Sequence, residues 1–235
     1  MSFDSEYRKD YARWIKVYAF DFSDPPNPKQ IETLQKQIIQ TDDVALACFF
    51  AIDFPTFYPH KMQAIISNSR DYKYAFLFAQ HIPNCDLKAL QKIVIESKKI
   101  KYICKFACYV KNADLKLIEP LIIKANNVKY AHQYLKFVKP KNVSKFKNII
   151  ISSNKPRYLF ELAKHLTSKQ DIKQIQDLII ASKSFTYMRL FAEKIKGADI
   201  NQIEQAVLAS ENVKEIKKFA SFVKKSQMRK FLLVS

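Results

Sequence analysis

Aromatic and apolar residues recur along this chain in a fixed register. A tyrosine is followed four places later by a second bulky apolar residue and, in most copies, by alanine at the fifth place. Tyr74-Phe78-Ala79 is succeeded by Tyr102-Phe106-Ala107, Tyr130-Tyr134-Leu135, Tyr158-Leu162-Ala163 and Tyr187-Phe191-Ala192. Leu46-Phe50-Ala51 precedes the series, and a weaker Glu215-Phe219-Ala220 follows it. The step is 28 residues at every interval but one, which is 29. A constant period of this size marks stacked supersecondary units.

Each unit reads as two short helices. Counting the tyrosine as zero, apolar or small residues fall at 0, 1, 4, 5 and 8, as in Tyr102, Ile103, Phe106, Ala107 and Val110. That spacing makes one helical stripe. A short polar residue follows: Asp86, Asp114, Asn142, Asp171 or Asp199. Such side chains accept a bond from an orphaned N–H at a helix start. Asp171/Gln174 and Asp199/Gln202 have capping-box spacing. A second stripe comes next, for example Leu87, Leu90, Ile93 and Val94, and closes on Ser97; its counterparts close on Ala125, Ser153, Ser182 and Ser210. The spacing predicts first helices near 42–53, 71–82, 99–110, 127–138, 155–166, 184–195 and 212–223. Second helices are predicted near 28–40, 60–68, 86–97, 114–125, 142–153, 171–182 and 199–210. Pro83 and Pro140 fall in connecting turns, whereas Pro120 lies inside a second helix and is expected to kink it or shift its start.

The expected fold is therefore all-α, a right-handed α-α solenoid of about six to seven two-helix repeats. Residues 28–235 form one repeat domain in this reading. Residues 1–27 supply a capping helix near 5–21 and a Pro-rich turn, Asp24-Pro25-Pro26-Asn27-Pro28. Tyr7, Tyr11, Trp14, Ile15, Tyr18 and Phe22 share one face of that helix, suited to covering the first repeat's core. At the other end, residues 226–235 start a second helix, stop short and finish apolar. That end either folds back on the core or docks on a partner or another copy.

Composition narrows the field. One glycine, Gly197, in 235 residues removes glycine-dependent phosphate loops and dinucleotide fingerprints. Four cysteines (Cys48, Cys85, Cys104 and Cys108) are too sparse for a disulfide framework and fit a reducing setting. No apolar run approaches the ~18 residues of a membrane span, and the N-terminus lacks a signal-peptide pattern. A cytoplasmic location is expected, or the host cytosol or nucleus for a viral protein. Net charge is +18, unevenly spread. Residues 1–68 hold 7 Lys/Arg against 9 Asp/Glu, and residues 69–235 hold 33 against 13. A field of that sign attracts nucleic acid, anionic membrane or acidic protein. An AT-rich genome also supplies lysine, but does not by itself remove Asp and Glu.

The candidate binding residues lie in two columns. Lys73, Lys101, Lys129, Arg157 and Lys214 directly precede the repeat's tyrosine or its equivalent, with Thr186 as the exception. These are first-turn positions, where the helix dipole disfavours cations by a few tenths of a kcal/mol. Lys98, Lys99, Lys155 and Lys183 occupy adjoining turns. A weaker column is Lys88, Lys116 and Lys173, with Ser144 and Asn201 at the other copies. Regular cations suit a phosphate backbone without sequence preference, or simply keep the surface solvated. His81/Cys85 and Cys104/Cys108 are i,i+4 pairs able to meet between neighbouring units, but other units lack them and small buried cysteines explain them as well. No metal and no cofactor are assigned. His60, His132 and His165 have no assigned partner. No nucleophile or zinc-hydrolase motif appears, Asp42 and Asp43 read as caps, and no catalytic residue is assigned.

The Tyr-x-x-x-Phe-Ala and Asp-Leu/Ile-x-x-Leu/Ile stripes over about 28–235 resemble the HEAT/armadillo-like α-solenoid superfamily. The short period looks most like helical-repeat proteins of large DNA viruses, phages and intracellular bacteria. That resemblance implies scaffolding and binding of protein or nucleic acid. Some HEAT-like solenoids are DNA alkylation-repair glycosylases, but the only tryptophan here, Trp14, lies outside the repeats. The expected function is non-enzymatic binding of an anionic macromolecule, an acidic protein or nucleic acid, along a basic edge or groove. The alternatives are a HEAT-like nucleic-acid protein and a structural subunit of a larger, viral assembly.

Overall fold

The computed structural model describes residues 7–21, 26–57, 59–138 and 143–223. Among these residues the fold is all-helical, with fifteen helices and no strand. They are α1 (Arg8–Asp21), α2 (Pro28–Thr41), α3 (Val44–Asp53), α4 (Pro59–Ser69), α5 (Tyr72–His81), α6 (Leu87–Glu96), α7 (Ile100–Tyr109) and α8 (Leu115–Lys124), then α9 (Val128–Val138), α10 (Ser144–Ser152), α11 (Pro156–Ala163), α12 (Lys169–Ala181), α13 (Phe185–Lys194), α14 (Ile200–Leu208) and α15 (Val213–Phe222). Odd numbers from α3 onward are the first helices of the sequence units, and even numbers are the second helices. Phe22, Pro140, Asn142 and the apolar end 226–235 lie outside the described residues.

The helices group into two compact units, Met1–Ala125 and Asn126–Ser235. In the first, α3 packs on α5 and α5 on α7, while α2 packs on α4 and α4 on α6. Phe50, Phe78 and Phe106, the repeat's second aromatic, are fully buried. Helix α1 lies on α3. Its Trp14 is buried and donates Nε1–H to Asp53 Oδ2 at 2.7 Å. The hydroxyl of Tyr7 donates to the Lys73 carbonyl at 3.1 Å, and that of Tyr74 donates to Asp10 Oδ2 at 2.5 Å. Ile15 is exposed and takes no part in this face.

In the second unit α9 packs on α11, α11 on α13 and α13 on α15. Tyr134, Phe146, Phe160, Phe191 and Phe219 are buried there, and Tyr134 stacks on Phe146 with ring centroids 4.8 Å apart. In both units successive first helices run parallel. Contacts join each residue to one about a repeat further on: Phe76 to Tyr102, His132 to Tyr158, Phe160 to Tyr187, Arg189 to Glu215.

Three further columns recur with the repeats. Seven residues follow the second helices in the left-handed region: Asp42, Arg70, Lys98, Asn126, Asn154, Lys183 and Glu211. None is glycine, so each carries a Cβ penalty of about 1 kcal/mol. The hydroxyl just before each turn satisfies the helix end. Ser97 Oγ donates to the Val94 carbonyl at 2.6 Å and accepts from Lys99 N–H at 3.2 Å. Ser69, Ser153, Ser182 and Ser210 repeat the arrangement. Closure therefore uses the hydroxyl rather than small size alone, and Ala125 lacks it.

The third column is glutamine. Gln63 Nε2 donates to the Asp86 carbonyl at 3.0 Å while its Oε1 accepts from Asp86 N–H at 2.9 Å. Gln91 clamps Asp114 in the same way, and Gln176 clamps Asp199. All three glutamines are buried. Asp199 still caps Gln202 N–H, but its own N–H goes to Gln176, so the expected reciprocal bond from Gln202 is replaced.

One expectation is corrected, and one of two alternatives is settled. Asp171 does not cap α12; Ser168 does, accepting from Asp171 N–H at 3.3 Å, and the helix starts at Lys169. The column residue there is Lys147, an amine that can only donate. It takes the Asp171 carboxylate at 2.6 Å instead of clamping a backbone. Pro120 does not shift its helix, for α8 begins at Leu115 directly after its cap Asp114.

Candidate functional site

The first column of cations sits where a cation was least expected locally. Lys73, Lys101, Lys129, Arg157 and Lys214 are the second residues of α5, α7, α9, α11 and α15. All but the half-buried Lys73 are exposed. Because the first helices run parallel within each unit, these residues share the end at which the first helices begin. The left-handed turns lead straight into that end and add Arg70, Lys98 and Lys183. Sequence reasoning missed Arg70; the signal was its 28-residue offset from Lys98 in the column ahead of each first helix.

Charge density along that end is uneven. Asp43 and Asp71 cap α3 and α5, each accepting two backbone N–H bonds. The caps of α7 and α11 are Lys99 and Lys155, which cannot accept. Lys98, Lys99 and Lys101 thus crowd one turn of the first unit, and Lys155 and Arg157 crowd one turn of the second. Aromatic rings lie beneath them. Lys101 Nζ is 5.3 Å from the Tyr102 ring centre, and Lys105 Nζ is 5.3 Å from the same ring and 5.7 Å from that of Phe76. Arg157 stands 6.0 Å from the Tyr158 ring. Such contacts hold a cation without neutralising it.

The second column does not join the first. Lys88 and Lys116 are the second residues of α6 and α8, which begin where α5 and α7 have ended. A ten-residue helix rises about 15 Å, so the two sets of lysines within the first unit sit at opposite ends. Lys88 and Lys116 also flank the carboxylate caps Asp86 and Asp114. Lys173 is the fifth residue of α12, past its first turn, because that helix starts early.

The cysteines and histidines make no metal centre among the described residues, where no three of His, Cys, Asp and Glu are grouped to hold an ion. Cys104 Sγ and Cys108 Sγ are 3.9 Å apart. Their hydrogen bond, with burial second, pushes the Cys104 thiol well up. Burial above all, then Asp71, raises Cys48. These thiols stay protonated and unreactive at neutral pH. Among the described residues no helix is long and apolar enough to cross a membrane. Comparison with known proteins found no matching family model, no matching curated protein and no matching solved structure.

Proposed function

We propose that this chain is a non-enzymatic helical-repeat binding protein, a right-handed α-solenoid of about six to seven repeats of the HEAT/armadillo-like kind. Its working surface is the end of the first helices, where lysines and arginines meet an anionic macromolecule, nucleic acid or an acidic protein. One observation supports this above others: within each compact unit the parallel first helices carry a cation at the same first-turn position, Lys73 and Lys101 in the first and Lys129, Arg157 and Lys214 in the second, beside turns that add Arg70, Lys98 and Lys99 in the first and Lys155 and Lys183 in the second. The five first-turn positions oppose the dipole of their own helices, and an anion beyond the helix ends would turn that local cost into attraction. Lys88, Lys116 and Lys173 fall outside this surface.

Gel-shift titration tests it with unrelated duplex and single-stranded DNA and RNA at two salt concentrations. A nucleic-acid partner gives sequence-independent binding whose logarithm falls with log salt by about 0.9 per duplex phosphate neutralised. The variant Lys98→Ser/Lys99→Ser/Lys101→Ser flattens that slope, and Lys88→Ser/Lys116→Ser leaves it nearly unchanged. No shift at low salt excludes nucleic acid. Equal loss in both variants excludes the assigned end.

A further inference from the structure

The second unit holds a cleft of about 440 Å³ whose lining departs from the repeat pattern. That volume lies within the range of small-molecule sites, about 300–1,000 Å³. It opens among the C-terminal halves of α9 and α11, the body of α10 and the start of α12. Its polar lining is His132, Lys136, Lys147, Glu161, His165 and Asp171, over an apolar floor that includes Leu135, Ile150 and Leu162.

The repeat departs from its own rules at this place in three ways. The column alanine is Leu135. The clamping glutamine is Lys147, whose amine holds Asp171. The single 29-residue step falls between Tyr158 and Tyr187, across this joint. The second change leaves the Asp171 backbone without a glutamine clamp, and the loop residues ahead of it, His165, Leu166, Thr167 and Ser168, line the cleft. Local departures from an otherwise consistent pattern are where functional sites concentrate.

We propose that this cleft binds a small organic anion, a carboxylate head on an aliphatic or aromatic body. Its two acids are already engaged. Asp171 pairs with Lys147 at 2.6 Å and Glu161 with Lys164 at 2.7 Å. Lys136 forms no ion pair among the described residues; its Nζ lies 5.6 Å from the Phe137 ring centre, and it lines the cleft with His132 and His165. The groups acting on His132 are one acid, Glu161, against the cations Lys136 and Arg157 and the imidazole of His165. The head group therefore meets Lys136 and the two imidazoles, while Leu135, Ile150 and Leu162 take the body. Burial above all, opposed by Glu161 and aided by Lys136, His165 and Arg157, lowers His132 below the ordinary histidine value. A carboxylate beside it favours the imidazolium, so binding takes up a proton. Affinity rises as pH falls through the histidine range and levels off above it.

The test is methyl NMR of the full chain labelled at isoleucine δ1, with Ile150→Val assigning the cleft signal. Sodium octanoate and 1-naphthoate are the probes, and octanamide is the uncharged control. At least one acid moves the Ile150 signal saturably, with half-saturation near or below about 1 mM. Octanamide binds roughly tenfold more weakly than octanoate or not at all, as loss of a charge-assisted bond requires. Binding of the acid tightens about tenfold from pH 8.0 to 5.5, one unit of histidine shift. In His132→Gln most of that pH response disappears; if that variant fails to fold, the wild-type pH series and the amide control still decide. No saturable shift with either acid overturns the proposal. Equal affinity for the amide also overturns it, leaving an apolar crevice with no choice of charge.

Discussion

The joint between α4 and α6 and the joint between α10 and α12 occupy the same place in the repeat and are fastened differently. In the first, buried Gln63 gives and accepts one hydrogen bond each with the Asp86 backbone, and the Asp86 side chain caps α6. In the second, Lys147 reaches a carboxylate, half-exposed, and the cap passes to Ser168. An amide that both donates and accepts satisfies two backbone groups that water cannot easily reach. An amine satisfies neither and substitutes an ion pair that solvent screens. One residue type thus decides how a joint is fastened, by a glutamine clamp at Gln63, Gln91 and Gln176 or by an ion pair at Lys147.

The sharpest way to break the comparison is Gln91→Ala. It orphans the Asp114 N–H and carbonyl in a partly buried joint and removes a buried side chain. We expect a loss of about 2–4 kcal/mol, read as a fall in the urea midpoint. Lys147→Met at the ion-paired joint costs less than about 1 kcal/mol by the same measurement, since its ion pair is partly exposed. A cost for Lys147→Met equal to that for Gln91→Ala would show the two joints to be alike. The smallest effect is one of pH. Burial lowers His132 and His81 below the ordinary histidine value. The unfolded chain therefore binds their protons more readily, and stability falls as pH drops through the histidine range. Melting curves between pH 8 and 5 show that slope, and His132→Gln removes its share.

Much of this fold is legible in the chain, because apolar stripes at helical spacing leave little choice. All fourteen repeat helices and the N-terminal helix lie where the stripes put them. Asp86, Asp114 and Asp199 read correctly as caps because a short acid precedes each stripe. Asp171 misleads, since its role is set by Lys147, 24 residues earlier, through packing that no local pattern reveals. The left-handed turns escape notice because they use Asp, Arg, Lys, Asn and Glu where glycine would announce them. The glutamine column has the repeat's own spacing, yet a polar residue inside a helix reads as solvent-facing. The lysine columns are visible by spacing, but their division between two ends needs the direction of each helix. The pairing of His132 with His165 needs α9 laid against α11, which brings together residues 33 apart.

Arg70, Lys98 and Lys183 make their corners at a backbone cost that glycine would not incur. Anyone hardening this protein would begin by putting glycine there, and would gain a calmer chain. Each such exchange would also erase one positive charge from the margin where the first helices begin. Ruggedness and charge compete for the same three corners, so a version chosen for heat resistance alone would drift toward a blank edge.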